Sequence, residues 1–93
     1  FAMLRSGGTY LCVEPKASSV LEDNMGDPMA PFMYTISTMH CMTVSLAYGG
    51  DGLGTAWGHQ LATEYLTEAG FTDIKIEGIR DDRGNNYFIS TKP

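Results

Sequence analysis

The chain has 93 residues, with eleven Asp and Glu against six Lys and Arg, for a net charge of −5. That length makes at most one domain, of a size that buries about 60–65% of its unfolded surface. The six cations, Arg5, Lys16, Lys75, Arg80, Arg83 and Lys92, form no stripe, which argues against nucleic-acid binding by this segment. No run of about 20 apolar residues exists to cross a bilayer.

At the amino end, Ala2-Met3-Leu4-Arg5 reads as the last turn of a helix that begins upstream, so a cut through a domain is expected there. The polar Ser90-Thr91-Lys92-Pro93 reads as a natural terminus. After a Ser6-Gly7-Gly8 turn, Thr9 to Glu14 is rich in β-formers and apolar in its middle, as in a strand covered on both faces. Pro15 is expected to stop it. Lys16 to Pro31 is polar and broken by glycine and proline, a loop with one helical turn around Val20 to Asn24.

Phe32 to Tyr48 carries Phe32, Ile36, Met39, Thr43 and Leu46 at helical spacing, with Met33, His40, Cys41 and Val44 on its other faces. A helix apolar nearly all round is buried, or faces a pocket or a partner. Gly49 to Gly54 interrupts it. Thr55 is the expected N-cap of a second helix, with Trp57, Leu61, Tyr65, Leu66 and Ala69 on its stripe and Gly70 as its stop. Asp73 to Ile79 alternates as a half-buried strand, Asp81-Asp82-Arg83-Gly84-Asn85 has the composition of a hairpin turn, and Tyr87-Phe88-Ile89 is the last strand. A crossover helix followed by a hairpin gives an antiparallel edge on an otherwise parallel α/β sheet.

In this order the segments resemble a known family. Arg5 to Pro15 is similar to the fifth-strand signature of class I S-adenosylmethionine-dependent methyltransferases, with Ser6 where that family usually has proline. Leu66-Thr67-Glu68-Ala69-Gly70-Phe71 resembles the helix end before its sixth strand, and Tyr87-Phe88-Ile89 its seventh strand. Tyr34 to Ala47, with Met39-His40-Cys41-Met42, resembles members that carry an amino-terminal winged-helix domain. The resemblance spans the chain. It implies an α/β fold, the carboxyl-terminal portion of a Rossmann-like methyltransferase domain. Residues 1–93 would form a single partial domain, with a three-stranded mixed sheet in the order 5-7-6, its last strand antiparallel, and two main helices. Residues 16–54 would be an insert or lid on the acceptor side. The parent would move a methyl group from S-adenosylmethionine to a small-molecule or protein acceptor. The family's cofactor site lies mostly on strands one to four, so no cofactor-binding residue is assigned in this chain, which is expected to be inactive alone.

His40 is the candidate general base, because imidazole takes up a proton readily near neutrality. His59 is read as a residue of an exposed first helical turn with no role. Glu14 ends a central strand, where open α/β sheets place their ligand crevice, and it is a candidate substrate contact. So are Met33, Tyr34 and Met39 on the helix facing the acceptor, where methionine gives an adaptable wall; such a stripe also serves as plain core.

Two other readings stand beside this one. The first is a stand-alone α+β module that binds a partner through its methionine-rich helix 32–48. The second is a dinucleotide unit in which Gly50-Asp51-Gly52-Leu53-Gly54 is the phosphate loop and Glu77 the ribose acid. Cys12 and Cys41 have no metal-ligand spacing and read as free thiols of a reducing, cytoplasmic compartment. Asp81, Asp82 and Asn85 miss the calcium-loop spacing, so no metal is assigned. With its apolar helix and a strand edge exposed, the chain is expected to form a homo-oligomer.

Overall fold

A computed structural model describes all residues, 1–93. The elements are β1 (Thr9–Pro15), α1 (Leu21–Asn24), α2 (Ala30–Ile36), a π-helical segment (Ser37–Met42), α3 (Thr43–Ala47), α4 (His59–Glu68), β2 (Thr72–Ile79) and β3 (Asp82–Thr91). The strands form one sheet in the order β1-β3-β2. The last strand therefore lies between the other two, as its hairpin and the crossover helix require.

Both ladders are antiparallel, with Leu11 opposite Ile89 and Lys75 opposite the same residue on the other side. The expectation of a mixed sheet is corrected in this respect. β1 and β2 point the same way, but β3 separates them and no parallel pairing exists in the chain. The hairpin turn is also shorter than its composition implied. Ile79 already pairs with Asp82, so Arg80 and Asp81 make the turn and Arg83-Gly84-Asn85 belong to β3. Side chains hold that end together, since Asn85 Nδ2 donates to both carboxylate oxygens of Asp82 at 3.0 Å and the Tyr87 hydroxyl donates to Oδ2.

Facing residues in an antiparallel ladder share a side of the sheet. Tyr10, Cys12 and Glu14 thus project with Phe88 and Ser90 toward α4, whereas Leu11 and Val13 project with Tyr87 and Ile89 to the opposite face. The first side holds the best-buried residues, Phe88 at 1% exposure and Ser90 at 0%, with Phe71 and Ala62 nearby in sequence on α4 and its exit. No helix covers the second side. Leu11 stays 56% exposed and Val13 44% exposed, although the sequence of β1 is apolar on both faces. The outer edge of β1 has no strand beside it.

Helix α4 ends as its glycine implied. Gly70 has φ +99°, its N–H donates to Thr67 O at 2.9 Å, and Phe71 N donates to Leu66 O at 3.0 Å, the paired bonds of a Schellman motif. Phe71 then stacks on Tyr10 at 5.3 Å and meets Phe1 edge-on at 5.0 Å. The start of α4 departs from expectation. Thr55 is not its N-cap; Gly58 is, with φ +87°, and Trp57 lies before the helix. The first-turn amides are capped from a distant segment, His59 N by Ala17 O at 3.1 Å and Leu61 N by Ser19 Oγ at 3.1 Å. Gly58 must lack a Cβ because the Ser18–Ser19 backbone crosses there.

Residues 30–47 form one helical arm of α2, the π segment and α3. Threonine hydroxyls compete with its amide ladder, that of Thr43 donating to Met39 O at 3.0 Å and His40 O at 3.1 Å. The loop after the arm folds back along it. Gly52 N donates to Ser45 Oγ (3.1 Å), Thr55 N to Ser37 Oγ (2.9 Å), and the Thr55 hydroxyl to the Cys41 sulfur. The arm is thus fastened by its own strap and by loops, and lies on no strand. Its reach shows in a radius of gyration of 14.2 Å, against about 12 Å for a typical domain of this length.

Candidate functional site

The carboxyl end of β1, the opening of β3, α1, α2 and the first turn of α4 enclose an open groove of about 980 Å³. Ligand sites usually span about 300–1,000 Å³ and are mostly apolar with a few convergent polar groups. Met29, Phe32, Met33 and Ile36 of the arm and its approach make one wall. Lys16, Arg83 and His59 line the same groove from the sheet and from α4, and Asp23 and Asp27 from the loop and α1. No transmembrane-length apolar helix is present.

Local bonds fix several of these groups. Lys16 N donates to Gly84 O at 2.8 Å, extending the β1–β3 ladder past Pro15 and setting Lys16 opposite Gly84 of the neighbouring strand. Asp23 accepts the Ser18 hydroxyl at 2.9 Å and Asp27 accepts Met29 N at 2.8 Å, so each acid has one local hydrogen bond. His59 Nδ1 lies 3.3 Å from Ala17 O. A carbonyl oxygen only accepts, so in this contact Nδ1 is the donor.

The candidate residues read from sequence do not converge. Only Met33 lines the groove. The Tyr34 hydroxyl accepts from Asn24 Nδ2 at 2.8 Å and thereby ties α2 to α1. Met39 is 74% exposed and His40 is exposed with it, both in the π segment. His40 Nδ1 meets only the adjacent Cys41 sulfur, at 3.9 Å. The imidazole in the groove is that of His59, which sequence periodicity had assigned to an exposed turn.

Glu14 faces a second, smaller gap of about 360 Å³ between β1 and α4, lined by Tyr10, Trp57, Tyr65 and Phe71 among others. Trp57 Nε1 donates to its Oε2 at 3.1 Å and the Cys12 thiol approaches Oε1 at 3.8 Å. Burial and then the Glu14 carboxylate push the Cys12 thiol above its ordinary value. The neighbouring thiol, burial and Glu14 raise the Tyr10 phenol in turn. Cys12 is therefore a poor nucleophile near neutrality. Cys12 and Cys41 are both thiols, and no three metal-ligating side chains come together.

The glycine loop 50–54 follows a helix, not a strand, and two of its amides are occupied: Gly50 N by Ser45 O at 2.7 Å and Gly52 N by Ser45 Oγ. Glu77 lies inside β2, not at its end. A dinucleotide loop needs free amides at a strand end.

Lys16, Arg83 and the anchored His59 were illegible because contacts of high sequence separation assemble the groove. No model of a known protein family matches the chain, and no curated protein is similar to it in sequence.

Proposed function

We propose that this chain is the carboxyl-terminal part of the catalytic domain of a class I S-adenosylmethionine-dependent methyltransferase of a cytoplasmic kind, acting on an unidentified acceptor. The observation that carries the reading is the sheet. β3 sits antiparallel between two co-directional strands, while β1, apolar on both sides, has one bare face and one bare edge. The family resemblance gives the order fifth, seventh, sixth, and further strands beside β1 with helices over Leu11 and Val13 would complete it.

The groove then lies on the acceptor side, beneath the arm, as the 16–54 insert implies. In the family resembled, the cofactor site lies mostly on strands one to four, so no residue of this chain is assigned to it. Two amides of the glycine loop, those of Gly50 and Gly52, are engaged by Ser45. The test compares the 93-residue chain with a protein extended by its natural upstream sequence. The extended protein should bind S-adenosylmethionine at micromolar concentration in calorimetry and transfer a labelled methyl group; the short chain should do neither. Binding by the short chain, or none by the extended protein, overturns the reading.

The second reading, a module that binds a partner through the arm, is favoured by the arm's exposure. Phe32, Met39, Leu46 and Tyr48 are 61%, 74%, 58% and 90% exposed. Self-association through this surface or through the β1 edge would make a homo-oligomer.

A further inference from the structure

The gap of about 360 Å³ between β1 and α4 is lined by the rings of Phe1, Tyr10, Trp57, Tyr65 and Phe71, together with Cys12 and Glu14. The rings fall into two sets. At one end Tyr10 stacks on Phe71 and Phe1 meets Phe71 edge-on. A cation already serves that end, because Lys92 Nζ stands 4.5 Å from the Phe1 ring centre and donates to Phe1 O and Leu4 O. Glu14 lies four residues along β1 from Tyr10, about 13 Å at the rise of a strand. At its end Trp57 and Tyr65 have ring centres 5.9 Å apart and planes tilted by 52°, a corner rather than a stack. Trp57 Nε1 donates to Glu14 Oε2 at 3.1 Å, which pins the carboxylate to the edge of the indole.

Neither partner of Glu14 cancels its charge. The indole N–H is neutral, and the Cys12 thiol at 3.8 Å, pushed upward by burial and then by Glu14, stays protonated near neutrality. No lysine, arginine or histidine lines the gap. A half-buried carboxylate between two neutral donors is short of a counter-charge.

From this arrangement we infer that the Glu14 end of the gap binds a quaternary methylammonium group, its methyls against Trp57 and Tyr65 and its charge against Glu14. The faces of indole and phenol are negative and attract a cation within about 6 Å of the ring centre. A quaternary ammonium carries no N–H that an aromatic corner would leave unpaired, whereas a lysine-like ammonium carries three. The volume lies at the low end of the range for ligand pockets, which suits a head group of choline size. The inference goes beyond the methyltransferase reading, since neither the groove nor the cofactor takes part.

The test is equilibrium binding of choline and of its uncharged isostere, 3,3-dimethylbutan-1-ol, to the chain as it stands. Calorimetry follows both, and fluorescence reports on the site directly because Trp57 is the single tryptophan. Choline should bind about tenfold more tightly than the alcohol, as expected for a cation between aromatic faces and a carboxylate. Glu14→Gln keeps an acceptor for the indole N–H and should remove most of that preference while leaving alcohol binding unchanged. Tyr65→Leu keeps an apolar wall without a π face and should also lower choline affinity more than that of the alcohol. Far-ultraviolet circular dichroism reports that each variant is folded. Ammonium chloride at the concentration of choline should not displace it; displacement would mean a plain ion pair and overturns the proposal. Equal affinity for choline and the alcohol overturns it too, as does binding of neither at millimolar concentration. A preference for choline that persists undiminished in either variant overturns the assigned site.

Discussion

The sheet with α4 and the helical arm are held by different forces. In the first, Phe88, Phe71 and Ala62 are withdrawn from water, and β3 is paired along both sides. In the second, the buried residues are Ala30 and Ser37, and large apolar side chains stand in solvent. Hydrogen bonds from a returning strap, more than apolar burial, fix the arm's position. The sheet can thus carry the fold, while the arm is free to present a surface.

The largest effect should come from the sheet. Phe88→Ala removes its most buried large side chain and is expected to cost about 3–5 kcal/mol. Urea unfolding would read this as a loss of most of the native stability; a cost below that of a surface change would mean that the core lies elsewhere. Next is Ser37→Ala, which strips the acceptor from Thr55 N and Ala56 N. The expected cost is about 1–3 kcal/mol. Amide exchange at Thr55 and Ala56 should quicken while exchange along β3 stays unchanged. Parallel quickening of both would dissolve the distinction between the two regions.

A smaller effect on stability, within about 0.5 kcal/mol, is expected for Met39→Glu, because that side chain is 74% exposed. Sedimentation across a concentration series should nevertheless show the wild type associating and the variant shifted toward monomer. A wild type that stays monomeric at high concentration removes the arm as a self-association surface.

The smallest effect concerns the far end of the sheet. Hydrogen bonds from Tyr87 and then Asn85 hold the Asp82 carboxyl below its usual range, and the same bond raises the Tyr87 phenol. A lowered carboxylate contributes stability above its unfolded value and loses it as pH falls through the folded one. The raised phenol contributes below its ordinary value and loses it as pH rises through the folded one. Exchange of the amides near Ile79 and Asp82 should therefore quicken on acidification below the carboxylate range. In Asp82→Asn that acid step should vanish; its persistence would assign the step to another group.

The strand order was legible because glycine, proline and strong β-formers punctuate the chain, and because a hairpin after a crossover leaves few arrangements. The turn at Arg80–Asp81 was misplaced, since Asp82, Arg83, Gly84 and Asn85 have turn composition but are recruited into β3 by pairing with β1 and by the Asp82 contacts. The start of α4 could not be read locally, because its caps come from Ala17 and Ser19. His40 drew attention as a histidine on an apolar helix. Its periodicity gave no sign that the π segment would leave it in solvent, or that His59 would be drawn to the groove by Ala17.

The π segment also sets the phase between the arm and its strap. Ser37, Cys41 and Ser45 are spaced by four residues, and all three meet the returning loop. In a straight α-helix each such step turns about 40° beyond a full circle, so Ser37 and Ser45 would diverge by about 80°. The wider turn takes in an extra residue and brings the three back into line. The arm's length is therefore tied to its strap like two gears with matched teeth. Removing one residue between Ser37 and Ser45 would restore a regular α-helix with the two serines seven apart and within about 20° of one another, so both would keep facing the loop and the Cys41 contact would be the one displaced.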